Sequence, residues 1–233
     1  MIFPRESWQE HLKTIPWSQG EHVLIAAPTG SGKSALAAEL VEKRGHVVNF
    51  ITKTKDPLFS SAAYKHWVKV TEWNPRRNLA PWDNRVLLWA KEMPTMLETR
   101  ENQKLVYREA LEDIFKRGGW CVVFDELHYM SDPHFLGLSD AIAILHHMGR
   151  SNNVSLVNLT QRPSWIPKII YSSVSHAYIA RTKDSADLKR LADLGGVDGK
   201  KIAQAVSELP TRHDFLYINP MGDKDPVVVN IQK

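Results

Sequence analysis

A glycine-rich octapeptide between an apolar run and a helix-forming run most constrains what this chain can fold into. Residues 27–34 read Ala-Pro-Thr-Gly-Ser-Gly-Lys-Ser, directly after the apolar run Val23–Ala26 and before the helix-forming residues 35–44. A strand, a glycine loop and a helix in this order are the context that a phosphate-binding loop requires. The alternative is a plain glycine-rich turn between a strand and a helix.

The residue types in this octapeptide match the groups of a bound nucleoside triphosphate. Glycines let backbone N–H groups turn inward around a polyphosphate, and the following helix points its positive end at the same anion. Lys33 is a cation for the β and γ phosphates, and Ser34 offers its hydroxyl to Mg²⁺. Ala27 replaces the first glycine of the usual pattern. The predicted nucleotide-binding residues are Pro28, Thr29, Gly30, Ser31, Gly32, Lys33 and Ser34.

Two adjacent carboxylates follow a second apolar run. Residues 121–126 read Cys-Val-Val-Phe-Asp-Glu, which predicts a strand covered on both faces that ends in acids. Asp125 would hold Mg²⁺ through its water shell and so belongs to the predicted nucleotide site. Glu126 is placed to accept a proton from the water that attacks the γ phosphate. Taken alone, the pattern fits equally well a buried strand that ends with two solvated acids.

A third signal lies at the end of the strand predicted over residues 154–159. This strand runs into Thr160 and Gln161, and Pro163 then breaks it. If the strand lies between the two strands described above, Gln161 reaches the γ phosphate and senses the nucleotide state. A simple turn at the end of a strand explains the same residues.

Predicted strands and helices alternate along the chain, which indicates an α/β fold with a largely parallel central sheet flanked by helices. The length of 233 residues suits one large domain. We expect a leader over 1–20 that packs on the core, a core over 21–182, and C-terminal helices and closing strands of the same domain over 183–233. The predicted strands cover 22–26, 46–51, 68–73, 85–89, 120–124, 154–159, 176–180, 215–218 and 227–231, and the predicted helices cover 33–44, 98–117, 135–147, 184–194 and 200–208.

The net charge and the cysteine content limit which partners and which cellular compartment we expect. The formal net charge is +4, which permits contact with nucleic acid without demanding it. No apolar run is long enough to predict an integral membrane segment, and the single cysteine fits a reducing cytosol. We therefore expect a cytoplasmic protein. The basic residues predicted to contact the phosphates of a nucleic acid are Lys53, Lys55, Arg76 and Arg77.

The three motifs together resemble those of the FtsK/HerA superfamily of P-loop ATPases. Thr-Gly-Ser-Gly-Lys-Ser, the Asp-Glu pair and Thr-Gln-Arg-Pro-Ser at 160–164 carry the resemblance, which extends over about residues 21–182. It implies a P-loop NTPase of the additional-strand (RecA/FtsK-like) type that binds ATP and Mg²⁺. It also implies a homo-oligomeric ring, a hexamer or a pentamer, with double-stranded DNA in its pore. Arg150 matches the arginine that the family supplies to the γ phosphate of a neighbouring subunit.

The resemblance implies a DNA-translocating ATPase, and the small size is similar to that of viral genome-packaging ATPases. If the chain is viral, the expected compartment is the host cytoplasm. A portal or capsid protein is then a docking partner that the resemblance leaves undecided. Two alternatives stay open: a Zot-like virion-assembly or extrusion ATPase, and a nucleotide-dependent switch or scaffold with little turnover. Glu126 argues against the switch, because a protein that only binds nucleotide needs no general base.

Overall fold

One sheet organises the part of the protein that the computed structural model describes, which is residues 3–53, 61–74 and 84–232. Its strands are β1 (Arg5–Ser7), β2 (Val23–Ala26), β3 (His46–Phe50), β4 (Val68–Val70), β5 (Arg85–Leu88), β6 (Trp120–Phe124), β7 (Ser155–Thr160), β8 (His176–Ala180), β9 (Asp214–Ile218) and β10 (Val227–Asn230). Within the described ranges these ten strands lie in the order β1-β10-β9-β8-β2-β7-β6-β3-β5-β4.

The sheet is parallel apart from one strand. Strand β9 runs antiparallel to both of its neighbours, β8 and β10, and the other described pairs are parallel. Strands β2, β7, β6 and β3 are consecutive in the centre, and every residue of β2, β6 and β7 is buried. The predicted α/β class with a largely parallel sheet is therefore confirmed.

Helices cover both faces of the sheet. They are α1 (Trp8–Thr14), α2 (Lys33–Val41), α3 (Met96–Arg117), α4 (Leu127–Ser131), α5 (Ser139–Met148), α6 (Lys168–Ser173), α7 (Ser185–Leu191) and α8 (Gly199–Ser207). Alternate residues of each strand face opposite sides, so that Leu24 joins the apolar cluster under α3 and α5, whereas Ile25 joins the cluster under α1 and α2. The sheet thus separates two apolar cores.

The long helix α3 shows why the local sequence sets element boundaries. Thr95 accepts a hydrogen bond from the backbone N–H of Glu98, and Glu98 accepts one from the backbone N–H of Thr95. This reciprocal capping box satisfies two donors that a helix start leaves open. At the other end Gly118 has a φ of 67°, a value that glycine tolerates and that ends the helix as predicted.

The leader contributes an edge strand that its sequence did not predict. Strand β1 pairs in parallel with β10, and helix α1 buries Trp8 and His11 against the sheet. Farther along, the guanidinium of Arg44 lies 3.6 Å from the ring centroid of Trp17 and donates to the Trp17 carbonyl at 3.0 Å. These contacts attach the described part of the leader to the sheet and to the end of α2.

Four other elements differ from the predictions. The helix predicted over 135–147 begins at Ser139, because a turn closed by the backbone N–H groups of Phe135 and Gly137 on the Asp132 carbonyl occupies the preceding residues. Helices α4 and α6 were not predicted, since each spans only five or six residues. The third predicted strand ends at Val70 rather than at residue 73.

Candidate nucleotide-binding site

The sheet order brings the three sequence motifs to one edge. Strand β7 lies between β2 and β6, with Ala26 opposite Thr160 and Phe124 opposite Asn158. The octapeptide, Gln161 and the acid pair each follow the carboxyl end of one of these parallel strands. Such a crevice outside the carboxyl ends is where open α/β sheets bind ligands.

The octapeptide adopts a turn that depends on its glycines. Gly30 has a φ of 78° and Gly32 a φ of 92°, both in the left-handed region that favours glycine. The Ser31 hydroxyl donates to the Pro28 carbonyl at 2.7 Å, which closes the turn. Gly32 caps α2, so the loop delivers Lys33 and Ser34 to the first turn of that helix. This is the strand-loop-helix geometry of a phosphate-binding loop.

The C-terminal part of the chain supports this loop from outside. The ring atom Nδ1 of His213 lies 3.1 Å from the Ser31 carbonyl oxygen, and Arg212 Nε lies 2.9 Å from His213 Nε2. A Cβ atom on Gly32 would collide with the Ile231 side chain. Sequence reasoning assigned no chemistry to this segment. No local signal marks these contacts, because they join residues that are far apart in the chain.

Ser34 and Asp125 face each other across the start of α2. The Ser34 hydroxyl donates to Asp125 Oδ1 at 3.5 Å, and Asp125 is buried. A hydroxyl and a carboxylate oxygen beside a phosphate loop are the hard oxygen ligands that Mg²⁺ takes. The two side chains therefore fit a Mg²⁺ ion that also contacts phosphate oxygens.

Gln161 is bonded on both sides of its amide. The Thr29 hydroxyl donates to Gln161 Oε1 at 2.8 Å, and Gln161 Nε2 donates to Glu126 Oε2 at 3.0 Å. The two bonds fix the orientation of the amide and connect the phosphate loop to the acid at the end of β6. Thr29 thus gains a positioning role that its place in the motif did not reveal.

Burial raises the pKa of Glu126, and the neighbouring charge of Asp125 adds to that rise. The cations Lys33 and Lys53 and the hydrogen bond from Gln161 act in the opposite direction and lower the pKa. A carboxylate with a raised pKa is a stronger base, which is the property that a proton acceptor at this place needs.

These side chains line a cavity of ≈ 290 Å³. Most of its wall consists of predicted residues, namely Thr29, Gly30, Gly32, Lys33, Ser34, Asp125, Glu126 and Gln161. Ala35 and Lys53 complete the wall. A second cavity, of ≈ 580 Å³, shares Thr29, Glu126 and Gln161 with the first and extends to Phe135 and Trp165. Glu126 therefore borders both cavities, whereas Asp125 lines only the smaller one.

Arg162 holds the loop that follows Gln161. Its Nη2 donates to Asp184 Oδ2 at 2.9 Å, and its Nε lies 3.3 Å from a carboxylate oxygen of Asp187. Asp187 also accepts bonds from the backbone N–H and the hydroxyl of Ser164. This network attaches the Gln161 loop to the start of α7.

The other predicted residues lie away from this cavity or outside the described ranges. Arg150 lies on the exposed turn Gly149–Asn152, which precedes the amino end of β7 and therefore the edge opposite the phosphate loop. Lys53 was predicted to contact DNA, and the structure places it in the wall of the ≈ 290 Å³ cavity. Lys55, Arg76 and Arg77 lie outside the described residues.

Comparison with solved structures shows the fold. No family model and no curated protein matches this sequence. The genome packaging NTPase B204 from Sulfolobus turreted icosahedral virus 2 matches with a TM-score of 0.65 at 15% identity, over 92% of this chain and 98% of that chain. VirB4 of Thermoanaerobacter pseudethanolicus matches with a TM-score of 0.61 at 12% identity, over 91% and 89%. The pCW3 conjugation coupling protein TcpA matches with a TM-score of 0.52 at 15% identity, over 90% and 59%. The fold is therefore the one expected from the FtsK/HerA resemblance.

None of the helices within the described ranges combines the length and the apolar character needed to cross a bilayer. The same ranges hold no cluster of three or more histidine, cysteine, aspartate or glutamate side chains that could bind a metal ion.

Proposed function

We propose that this chain is an ATP-hydrolysing motor that translocates double-stranded DNA and packages a viral genome. The observation that carries the proposal is the convergence of Lys33, Ser34, Asp125, Glu126 and Gln161 on one cavity. Phosphoryl transfer needs little covalent chemistry from a protein, and it depends on positioning and on charge stabilisation. The cavity offers a cation, two ligands for a metal, a base and a sensor.

Each side chain has a role in this proposal. Lys33 and the loop N–H groups bind the β and γ phosphates, and Ser34 and Asp125 hold the Mg²⁺ that neutralises them. Glu126 accepts the proton of the attacking water, and its raised pKa favours that transfer. Gln161, which bonds Glu126 at 3.0 Å, orients the water and responds to the γ phosphate. No guanine-reading Asn-Lys-x-Asp occurs in the sequence, which supports ATP as the nucleotide.

The packaging role rests on the length of the structural match. The chain covers 98% of a B204 chain that is a genome packaging NTPase, and B204 has been solved in complex with ATP-gammaS and with AMPPCP. The match to the coupling protein TcpA spans 59% of that longer chain. Agreement along nearly the whole of B204 supports packaging. A portal or capsid protein is the docking partner that a packaging motor would need.

Ring assembly explains the position of Arg150. In its own subunit Arg150 lies at the sheet edge opposite the phosphate loop, so in our proposal it acts on the nucleotide of a neighbouring subunit. The ≈ 580 Å³ cavity beside Glu126 and Gln161 gives such an external side chain a route to the γ phosphate. An arginine supplied in this way accelerates phosphoryl transfer by about 10³- to 10⁵-fold.

The direct test is the rate of ATP hydrolysis with and without duplex DNA at low salt, because phosphate contacts weaken as salt rises. The proposal expects Mg²⁺-dependent hydrolysis that duplex DNA stimulates and that Lys33→Ala abolishes. Hydrolysis that DNA leaves unchanged would contradict DNA translocation. Binding of ATP without turnover would instead favour the nucleotide-dependent switch.

A further inference from the structure

The position of Lys53 is the starting point for a further inference, which rests on the proposed ATP hydrolysis. Lys53 follows strand β3, three residues past Phe50, and Phe50 pairs with Phe124 just before the acid pair. The carboxyl ends of β3 and β6 therefore deliver Lys53 and Glu126 to neighbouring places. The Lys53 side chain lines the same ≈ 290 Å³ cavity as Lys33 and Ser34.

Buried hydrogen bonds fix the backbone that leads to Lys53. The Gln103 side chain, which is buried, donates through Nε2 to the Thr52 carbonyl at 3.4 Å. The Tyr129 hydroxyl donates to Gln103 Oε1 at 3.1 Å, and Tyr129 belongs to helix α4, which directly follows Glu126. The Tyr107 hydroxyl also donates to the Ile51 carbonyl. Gln103 thereby joins the backbone before Lys53 to the helix after Glu126.

The charge of Lys53 acts inside the site. Lys53 and Glu126 both line the ≈ 290 Å³ cavity, and the charge of Lys53, like that of Lys33, lowers the pKa of Glu126 against the effect of burial. The two lysines reach the cavity from different elements, Lys33 from the start of α2 and Lys53 from the end of β3. A triphosphate bound by the loop would then meet cations on two sides.

We propose that Lys53 is a further catalytic residue, a cation of the same subunit that contacts the γ phosphate from the side of Glu126. The transition state of phosphoryl transfer spreads charge over the three equatorial oxygens of the γ phosphoryl group. A fixed cation beside these oxygens stabilises that charge, and it favours ATP over ADP because ADP lacks the group. Lys53 then serves the nucleotide rather than DNA.

Lys91 provides a matched control for this role. Phe50 of β3 pairs with Leu88 of β5, and Lys91 stands three residues past Leu88 as Lys53 does past Phe50. Both lysines are exposed and follow the carboxyl edge of the sheet, but only Lys53 belongs to the wall of the ≈ 290 Å³ cavity. An effect that comes only from the loss of positive surface charge at this edge should therefore appear equally in variants of Lys53 and of Lys91.

The test compares wild-type protein with Lys53→Ala, Lys53→Gln, Lys53→Arg and Lys91→Ala in the absence of DNA. We expect the two neutral Lys53 variants to lose at least about tenfold in kcat, since removal of one transition-state contact has effects of this order or more. Their affinity for ATPγS should fall by about fivefold to tenfold while their affinity for ADP stays at the wild-type value. Lys53→Arg should retain part of both properties, and Lys91→Ala should match wild-type protein.

Wild-type DNA-free turnover and a wild-type ratio of ATPγS to ADP affinity in Lys53→Ala and Lys53→Gln would overturn the inference. Loss of DNA stimulation alone would assign Lys53 to DNA. Failure of the proposed function is a separate result: wild-type protein would then bind ATPγS without hydrolysing ATP, and the affinity ratio would still test Lys53. The melting temperatures of all variants serve as the check on folding, which an exposed lysine should not disturb.

Discussion

Two polar clusters lie toward opposite edges of the central strands, and they use polar side chains for different purposes. At the carboxyl edge, Thr29, Gln161 and Glu126 form a hydrogen-bonded row that borders an accessible cavity and two cations. Toward the amino edge, His22 and His146 lie 5.0 Å apart between ring centroids and are both buried. The first cluster holds charged side chains beside an accessible cavity, whereas the side chains of the second are buried and uncharged.

The buried histidines are neutral components of the core. The backbone N–H of Leu156 donates to His22 Nδ1 at 3.2 Å, and His146 bonds the Ser173 hydroxyl and the Asn158 side chain through its two ring nitrogens. Burial lowers the pKa of His22 to about 4 and that of His146 to about 3. The comparison teaches that burial alone does not mark a functional group. Glu126 differs from the two histidines in having a cavity beside it.

Among the substitutions that test this contrast, one at Glu126 should have the largest effect. Glu126→Gln should lower kcat by about 10²- to 10⁴-fold, because the amide cannot accept the proton of the attacking water. The melting temperature should stay the same or rise, since the substitution removes a charge whose burial is unfavourable. Steady-state ATPase assays and thermal unfolding measure the two effects. Glu112→Gln, at an exposed position of α3, is the control.

A Glu126→Gln variant that hydrolyses ATP at the wild-type rate would remove Glu126 from the mechanism. If the variant is inactive because it unfolds, Glu126 would support the stability of the fold, as the buried histidines do.

His146 should show the opposite behaviour. His146→Ala removes one hydrogen-bond partner each from the Ser173 hydroxyl and from Asn158 Oδ1 and opens a cavity, which should reduce the free energy of unfolding by about 2–4 kcal/mol. Urea denaturation measures this loss, and kcat measured well below the transition should change little. His147→Ala is the matched control, since the neighbouring His147 is exposed. A large loss of kcat with unchanged stability would give His146 a functional role.

The hydrogen bond from Thr29 to Gln161 tests how much the row of Thr29, Gln161 and Glu126 depends on a single contact. Thr29→Val should reduce kcat by about threefold to tenfold, the equivalent of one hydrogen bond of about 0.5–1.5 kcal/mol that orients Gln161. Thr29→Ser keeps the hydroxyl and should restore the rate. Similar rates for the valine and serine variants would show that the Gln161 amide does not need this bond.

The pH dependence of stability separates the two clusters further. Because the pKa values of His22 and His146 are lower in the folded protein, the unfolded chain binds more protons below its own histidine pKa of about 6.5. The histidine contribution to stability is therefore present above that pH and decreases as pH falls toward about 4 and about 3. The pKa of Glu126 is instead raised in the folded protein, so the contribution of Glu126 to stability decreases as pH rises.

Urea denaturation at pH 7 and pH 5 measures this dependence. Wild-type protein should be less stable at pH 5, and His146→Gln, which removes one of the titrating groups, should show a smaller difference between the two pH values. An equal difference in both proteins would mean that His146 is not held neutral by the fold.

Much of the site could be predicted from the sequence because its chemistry is local. The spacing of Gly30, Gly32 and Lys33 defines a phosphate loop, and the acids of β6 and the polar end of β7 follow apolar strands. The condition under which Gln161 would join the site is met, because β7 lies between β2 and β6 and Gln161 lies beside Glu126.

Features that depend on long-range packing were not predicted. Lys53 enters the cavity only because β3 is the neighbour of β6, and strand order is not encoded in local periodicity. His213 contacts the loop at Ser31 through strands that add to the far side of β8. Strand β1 spans only three residues, and it forms by pairing with β10 at the other end of the sequence.

The central claim is that a triphosphate binds at the phosphate loop and is cleaved by water beside Glu126. The most direct measurement mixes excess wild-type protein with ATP labelled at the γ phosphate in the presence of Mg²⁺, and follows bound nucleotide and released phosphate through one turnover. The account predicts that wild-type protein retains the label and then releases it as phosphate, and that Lys33→Ala retains none. Wild-type protein that binds no labelled nucleotide, or that keeps it uncleaved, would contradict the account.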